Sequence, residues 1–120
     1  VADLRDGGLI GVAQHVPYFT PEYIEAIATA SVQMFRGPTV HHVEDLITAS
    51  RGDPSERLVE EMQMTTRNTI HFMMVMPNHP EALVVLITTR GTSLGMGWAA
   101  TRRSVIDIEP ILDEMSQVQR

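Results

Sequence analysis

Cysteine and lysine are both missing from this 120-residue chain. Without cysteine there is no disulfide, no thiolate zinc site and no cysteine nucleophile. All nine basic residues are arginine, scattered except for Arg102-Arg103, and the net charge is −6. Phosphate affinity comes from clustered Lys and Arg, so no nucleic-acid partner is expected. No apolar run is long enough to span a bilayer, and no basic leader followed by an apolar stretch opens the chain. The expectation is a cytoplasmic protein without direct membrane insertion. Aromatic residues make up only 5% of the chain, which leaves little to grip a planar ligand. What is present is globular in composition, 43% hydrophobic and 20% charged. The length corresponds to a single domain over residues 1–120, large enough to bury a core.

The organising stretch runs from Arg57 to Thr89. Leu58 to Thr66 reads as one strand and Thr69 to Met76 as the next, with Arg67-Asn68 as the turn. In the second, Ile70, Phe72, Met74 and Met76 alternate with His71, Met73 and Val75, the period of a strand. After the connection Pro77 to Glu81, a third strand covers Ala82 to Thr89, and its Leu83-Val84-Val85-Leu86-Ile87 is apolar throughout. A strand with no polar face is covered on both sides, so this one belongs in the middle of the sheet. Upstream, Val1 to Leu4 reads as the end of a strand. Arg5-Asp6-Gly7-Gly8 reads as a turn supplying positive φ, and Leu9 to His15 as a second strand.

Helix signals flank these strands. Thr20-Pro21-Glu22 combines a capping hydroxyl, a proline at the first helical position and an early acid. Ile24, Ile27, Ala28, Ser31, Met34 and Phe35 then form a stripe directed at the sheet. Gly37-Pro38 interrupts this helix, and Val40, Val43, Leu46 and Ile47 continue the spacing to Ser50, where Arg51-Gly52-Asp53-Pro54 ends it. A last helix, capped by Ser93 or Thr92, carries Leu94, Trp98, Thr101, Val105, Ile108, Leu112 and Met115 on one face. Pro110 is expected to kink or restart it. Gly95 and Gly97, costly in a helix, point to close backbone packing.

No constellation of catalytic residues emerges. The five histidines are His15, His41, His42, His71 and His79. Adjacent helical residues diverge by about 100°, so His41 and His42 do not share an ion, and no HExxH spacing occurs. Glu60 and Glu61 face opposite ways along a strand. Asp3 and Asp6 are the other imaginable acid pair. Ser93 lacks a nucleophile elbow. Arg90 to Gly95 lacks the phosphate-loop pattern, which requires lysine. The expectation is no enzyme, no cofactor and no metal. Five of the eight methionines lie between Met62 and Met76. Met62, Met64 and Met73 suit an adaptable outward contact face, or else Met73 is covered by a helix while Met74 and Met76 are core. Trp98 is likewise either core or a contact anchor.

The element order is strand, strand, interrupted helix, three antiparallel strands, helix. With the Gly8-Leu9-Ile10-Gly11-Val12 strand, the all-apolar last strand and Thr92-Ser93-Leu94-Gly95-Met96-Gly97 leading to Arg102-Arg103, it resembles the roadblock/LC7 family. That family includes dynein light chains of the roadblock type and bacterial small-GTPase regulators. The resemblance implies an α+β fold, profilin-like, with a five-stranded antiparallel sheet ordered 2-1-5-4-3 between helix layers. The first family helix has no counterpart here, and the first strand is short.

The resemblance further implies a non-catalytic adaptor, a homodimer or paralogue heterodimer, bound to a Ras-like small GTPase or scaffolding a motor or membrane-associated complex. An unpaired edge strand invites pairing with another chain, and an isologous contact needs one self-complementary patch. The candidate dimer contacts are Leu58, Glu60, Met62, Met64, Val40, His41 and Glu44. Met73, Arg67 and Arg90 are candidates for partner binding, and Arg36 and Arg51 also lie beside connections. If His41 and His42 lie near the two-fold axis, protonating them weakens association. The alternative from another class is a profilin- or PAS-like small-molecule sensor.

Overall fold

The computed structural model describes residues 1–14, 16–17, 19–52 and 57–118. His15, Asp53 and Pro54, on which strand-end and helix-end expectations fall, lie outside the described residues. The elements are β1 (Ala2–Asp3), α1 (Pro21–Arg36), α2 (Pro38–Ser50), β2 (Glu61–Thr65), β3 (Thr69–Met76), β4 (His79–Thr89) and α3 (Leu94–Val118). This is an α+β arrangement around an antiparallel sheet, as expected.

The sheet has four strands in the order β1-β4-β3-β2, which replaces the expected five ordered 2-1-5-4-3. Leu9 to His15 does not form a strand among its described residues, and only a single bridge joins Leu9 to Ala2. Ile10 and Gly11 donate their N–H groups to the Val1 carbonyl beside that bridge, and one bridge does not make a ladder. Between them, the turn after β1 holds Gly7 at φ 79° and Asp6 accepting from the Gly8 N–H at 2.8 Å. That is the chemistry a tight left-handed turn requires.

β4 is central, paired with β1 through Ala2–Leu83 and with β3 along most of its length. It begins three residues earlier than its apolar run, because His79 pairs with Met76 and leaves Pro77-Asn78 as the turn. Leu83 and Val84 are buried on opposite faces. One face packs Met73, Leu83, Ala2 and Leu4 against Ala28, Val32 and Phe35 of α1. The other packs Met76, Ala82 and Val84 against Val105 and Leu112 of α3. Each buried aliphatic side chain contributes on the order of 1.5–3 kcal/mol, so these two layers carry the fold.

The helix ends follow local chemistry. Thr20 Oγ1 accepts from Tyr23 N–H at 3.2 Å and Pro21 opens α1, while Ser93 Oγ accepts from Met96 N–H at 3.2 Å at the start of α3. Gly37 is extended (φ −65°, ψ 160°), closing α1 and opening α2. α3 continues through Pro110, so the expected restart there is absent. Gly97 lies so close to Phe72 that a Cβ built on it would be 2.1 Å from the ring, whereas Gly95 faces open space. The expectation of close packing therefore holds for Gly97 alone.

Candidate partner-binding surface

α2 is inverted relative to α1. Its buried residues are Glu44 and Thr48, and its apolar Val43, Leu46 and Ile47 are 49%, 58% and 37% exposed. The stripe expected to continue onto the sheet thus faces away from it. The extended Gly37 resets the helical phase, so the three- and four-residue spacing of α1 does not carry across.

What holds α2 inward is polar. The Glu44 carboxylate, only 3% exposed, accepts from the backbone N–H groups of Leu58 and Val59, the latter at 3.1 Å, and faces Arg57 Nη1 at 3.5 Å. Arg57 Nη2 lies 2.5 Å from Asp45 Oδ1. Thr48 donates its hydroxyl to the Glu44 and Asp45 carbonyls at 3.1 Å each. Glu44, a candidate dimer contact, is buried and makes these bonds within its own chain. The same bonds delay β2: with their N–H groups bound by Glu44, Leu58 and Val59 stay outside the ladder, and the strand starts at Glu61 rather than Leu58.

β2 is the outer strand. The Glu60 carbonyl accepts from Val75 N–H at 2.9 Å, and Met62 and Met64 pair across to Met73 and His71. In an antiparallel ladder, alternate residues turn their main-chain groups to opposite sides. The backbone of Glu61, Gln63 and Thr65 therefore addresses the free edge. Met62 and Met64 are half-buried against the α1-side core, and Met73 is fully buried in it. Of the two readings of the methionines, Met73 follows the helix-covered one, with Met76 also buried and Met74 half-buried.

The remaining candidates are dispersed. Val40 and His41 are half-buried on α2, and His41 Nε2 is shielded with no hydrogen-bond partner among the described residues; His42 is exposed. Arg67 is exposed in the β2–β3 turn, and Arg90 Nη1 donates to the Thr66 carbonyl at 3.1 Å. Arg51 is exposed at the end of α2. Arg36 is half-buried and donates to the Phe35 carbonyl at 3.2 Å; desolvation pushes its guanidinium below the ordinary value, with nearby Glu44 opposing. Arg90 N–H also donates to the Asn68 carbonyl at 3.1 Å, so Arg67 and Arg90 share the β2–β3 turn, while Arg36 and Arg51 end α1 and α2.

Two clusters were not anticipated. Trp98 stands edge-on to Phe72 with centroids 5.3 Å apart, donates from Nε1 to Gln63 Oε1 at 3.2 Å and lies 5.2 Å beneath the Arg102 guanidinium. Arg102 also binds Glu61 at 3.0 Å, so α3 is tied to β2 along its outer side. His79 binds Asp113 at 2.6 Å and Glu81 at 3.4 Å, fastening the start of β4 to the last turns of α3. Its hydrogen bond to Asp113 raises its pKa, while partial burial opposes. Neither cluster was readable from sequence, since the partners lie about thirty or more residues apart. Among the described residues no group of three or more His, Asp or Glu is placed to hold a metal ion. No described helix is long and apolar enough to cross a membrane.

An antiparallel sheet with α1 on one face and α3 on the other, ending in a free edge strand beside an outward apolar helix, is the roadblock/LC7-like class of fold that the sequence resembles. The structure is similar to that of Myxococcus xanthus MglB, with a TM-score of 0.63 and 13% sequence identity over 94% of this chain and 80% of that chain. No family model matches the sequence, and no curated protein does.

Proposed function

We propose that residues 1–120 form a single roadblock/LC7-like domain that acts as a cytoplasmic, non-catalytic adaptor, dimeric through α2 and β2, and that binds a Ras-like small GTPase. The observation that carries the dimer is the exposed Val43-Leu46-Ile47 stripe on a helix whose buried side is polar. Such a stripe beside an edge strand with unbonded main-chain groups fits a second copy related by a two-fold axis. Antiparallel pairing of two β2 strands centred on Gln63 sets each Glu61 opposite the partner's Thr65, which avoids facing like charges. Leu58, Glu60, Met62, Met64, Val40 and His41 border this contact. The GTPase half of the reading rests on the family resemblance and on the fold shared with MglB. Any effect on hydrolysis arises by ordering the GTPase's own switch loops, so alanine at Arg36, Arg51, Arg67 or Arg90 leaves GTPase stimulation unchanged, and loss of stimulation in one of them identifies an arginine finger instead.

The test is capture of partners from source-cell lysate on the immobilised full chain, with GTP-analogue and GDP loading and identification by mass spectrometry. Nucleotide-dependent recovery of a small GTPase supports the reading. Recovery in neither state with folded bait removes it and shifts the weight to the sensor alternative. That alternative has one favouring observation, an apolar cavity of about 370 Å³ bounded by Ala2, Ile24, Ile27, Ala28, Val85 and Ile87.

A further inference from the structure

The inversion of α2 leaves its position to be fixed by something other than a core. None of its side chains belongs to either apolar cluster. The Thr48 hydroxyl is satisfied within the helix. Among the described residues, the polar link from α2 to the rest of the chain is the Glu44 carboxylate with its neighbour Asp45, received by Arg57, Leu58 and Val59. Those residues lead into β2, one residue before its free edge begins. The link therefore joins the two halves of the surface assigned above to a second copy.

We infer that Glu44 is a positioning residue that locks the apolar stripe of α2 in register with the free edge of β2, so that a partner copy engages both together. The inference rests on the proposed dimer. One carboxylate oxygen shared by consecutive N–H groups is a directional, charge-assisted arrangement, stronger than neutral bonds. It fixes both the height of α2 along the strand and its rotation about its own axis. The extended backbone of Gly37 sets the phase in which α2 begins but adds no side-chain cap there, and Glu44, about two turns on, holds that phase against the chain entering β2. Val43 directly precedes Glu44 in sequence, and Leu46 and Ile47 lie within one turn of it. Any rotation of the carboxylate away from Leu58 and Val59 carries the stripe with it. Two surfaces free to move independently each bind weakly, and holding them in one geometry removes the ordering cost from association.

Glu44→Gln preserves size and one acceptor oxygen while removing the charge. Arg57→Gln leaves the two backbone bonds and removes only the guanidinium. Dimer dissociation constants would be measured for both and for wild type by sedimentation equilibrium on the full chain. Amide hydrogen exchange at Leu58, Val59, Phe72 and Val84 would be followed in parallel. The expected result is a rise of about tenfold or more in the Glu44→Gln dissociation constant, with faster exchange at Leu58 and Val59 and unchanged exchange at Phe72 and Val84. Arg57→Gln shifts the constant the same way by less. A purely structural role would speed exchange at all four amides and leave the affinity of folded molecules unchanged, and that outcome overturns the inference. If Glu44→Gln does not fold, Arg57→Gln decides by the same criterion: wild-type affinity overturns the inference and weakened affinity supports it. A dimeric wild type with unaffected variants overturns this inference alone. A wild type that is monomeric at every concentration overturns the dimer reading and this inference with it.

Discussion

Gly97 and Gly95 lie two positions apart at the start of α3, yet a methyl group meets opposite surroundings at each. At Gly97 it would enter the Phe72 ring, which is itself fully buried. Gly97→Ala is expected to destabilise by about 1–3 kcal/mol through overpacking. Gly95→Ala meets open space and is expected to be neutral or to stabilise by up to about 1 kcal/mol. Urea unfolding of the two variants checks both, and equal effects would contradict the packing described. Two histidines give opposite pH dependences. His79 has its pKa raised, chiefly by Asp113, so its contribution is complete below the ordinary value of 6.5 and is lost as pH rises through the raised value. His71 is buried and its pKa is lowered by desolvation, so its contribution is complete above 6.5 and is lost as pH falls through the lowered value. Thermal unfolding between pH 5 and 9 should show His79→Gln losing part of the alkaline decline and His71→Gln part of the acid decline. The reverse assignment would refute the geometry.

At the scale of elements, α1, β3 and the start of α3 were legible because each is decided by adjacent residues. Thr20-Pro21, the alternation from Ile70 to Met76, and Ser93 with Met96 three positions on are all local signals. α2 was legible as a helix but not in its orientation. Val43, Leu46 and Ile47 carry the same spacing as a core stripe, and the competing inward pair Glu44 and Thr48, four apart, gains meaning only once Leu58 and Val59 are beside it. For the same reason the methionine pattern left two readings open: period two identifies two faces but not whether helices cover one or both, and here α1 covers the face of Met73 and α3 the other. The fifth strand failed because a strand is a property of a pair, which residues one after another do not announce, and among its described residues Leu9 to His15 makes a single bridge. Gly37 decides where α1 yields to α2, and a Cβ there would lie 2.5 Å from the Gln33 carbonyl oxygen, a backbone atom with little freedom to retreat. Gly37→Ala is thus expected to cost about 1–3 kcal/mol and to loosen α2 first. Amide exchange should rise across residues 38–50 before it rises in β3. Uniform exchange would show that the junction is not a local hinge.

For the whole molecule, the proposed dimer makes stability depend on concentration. Anything that binds the folded state alone raises its melting temperature by mass action, a second copy included. A chain whose apolar stripe on α2 is covered only in the dimer should melt roughly 3 °C higher for each tenfold increase in protein concentration. Leu46→Asp places a charge at the most exposed point of that stripe, where an isolated chain tolerates it. In a dimer the same carboxylate would be desolvated beside its symmetry copy, which is unfavourable on both counts. The variant is therefore expected to melt at a temperature independent of concentration and to sediment as a monomer, while its stability at high dilution matches that of wild type. If wild type and variant both melt independently of concentration, the stripe does not meet a second copy. If both remain equally dependent on concentration, the copies meet through a surface other than α2.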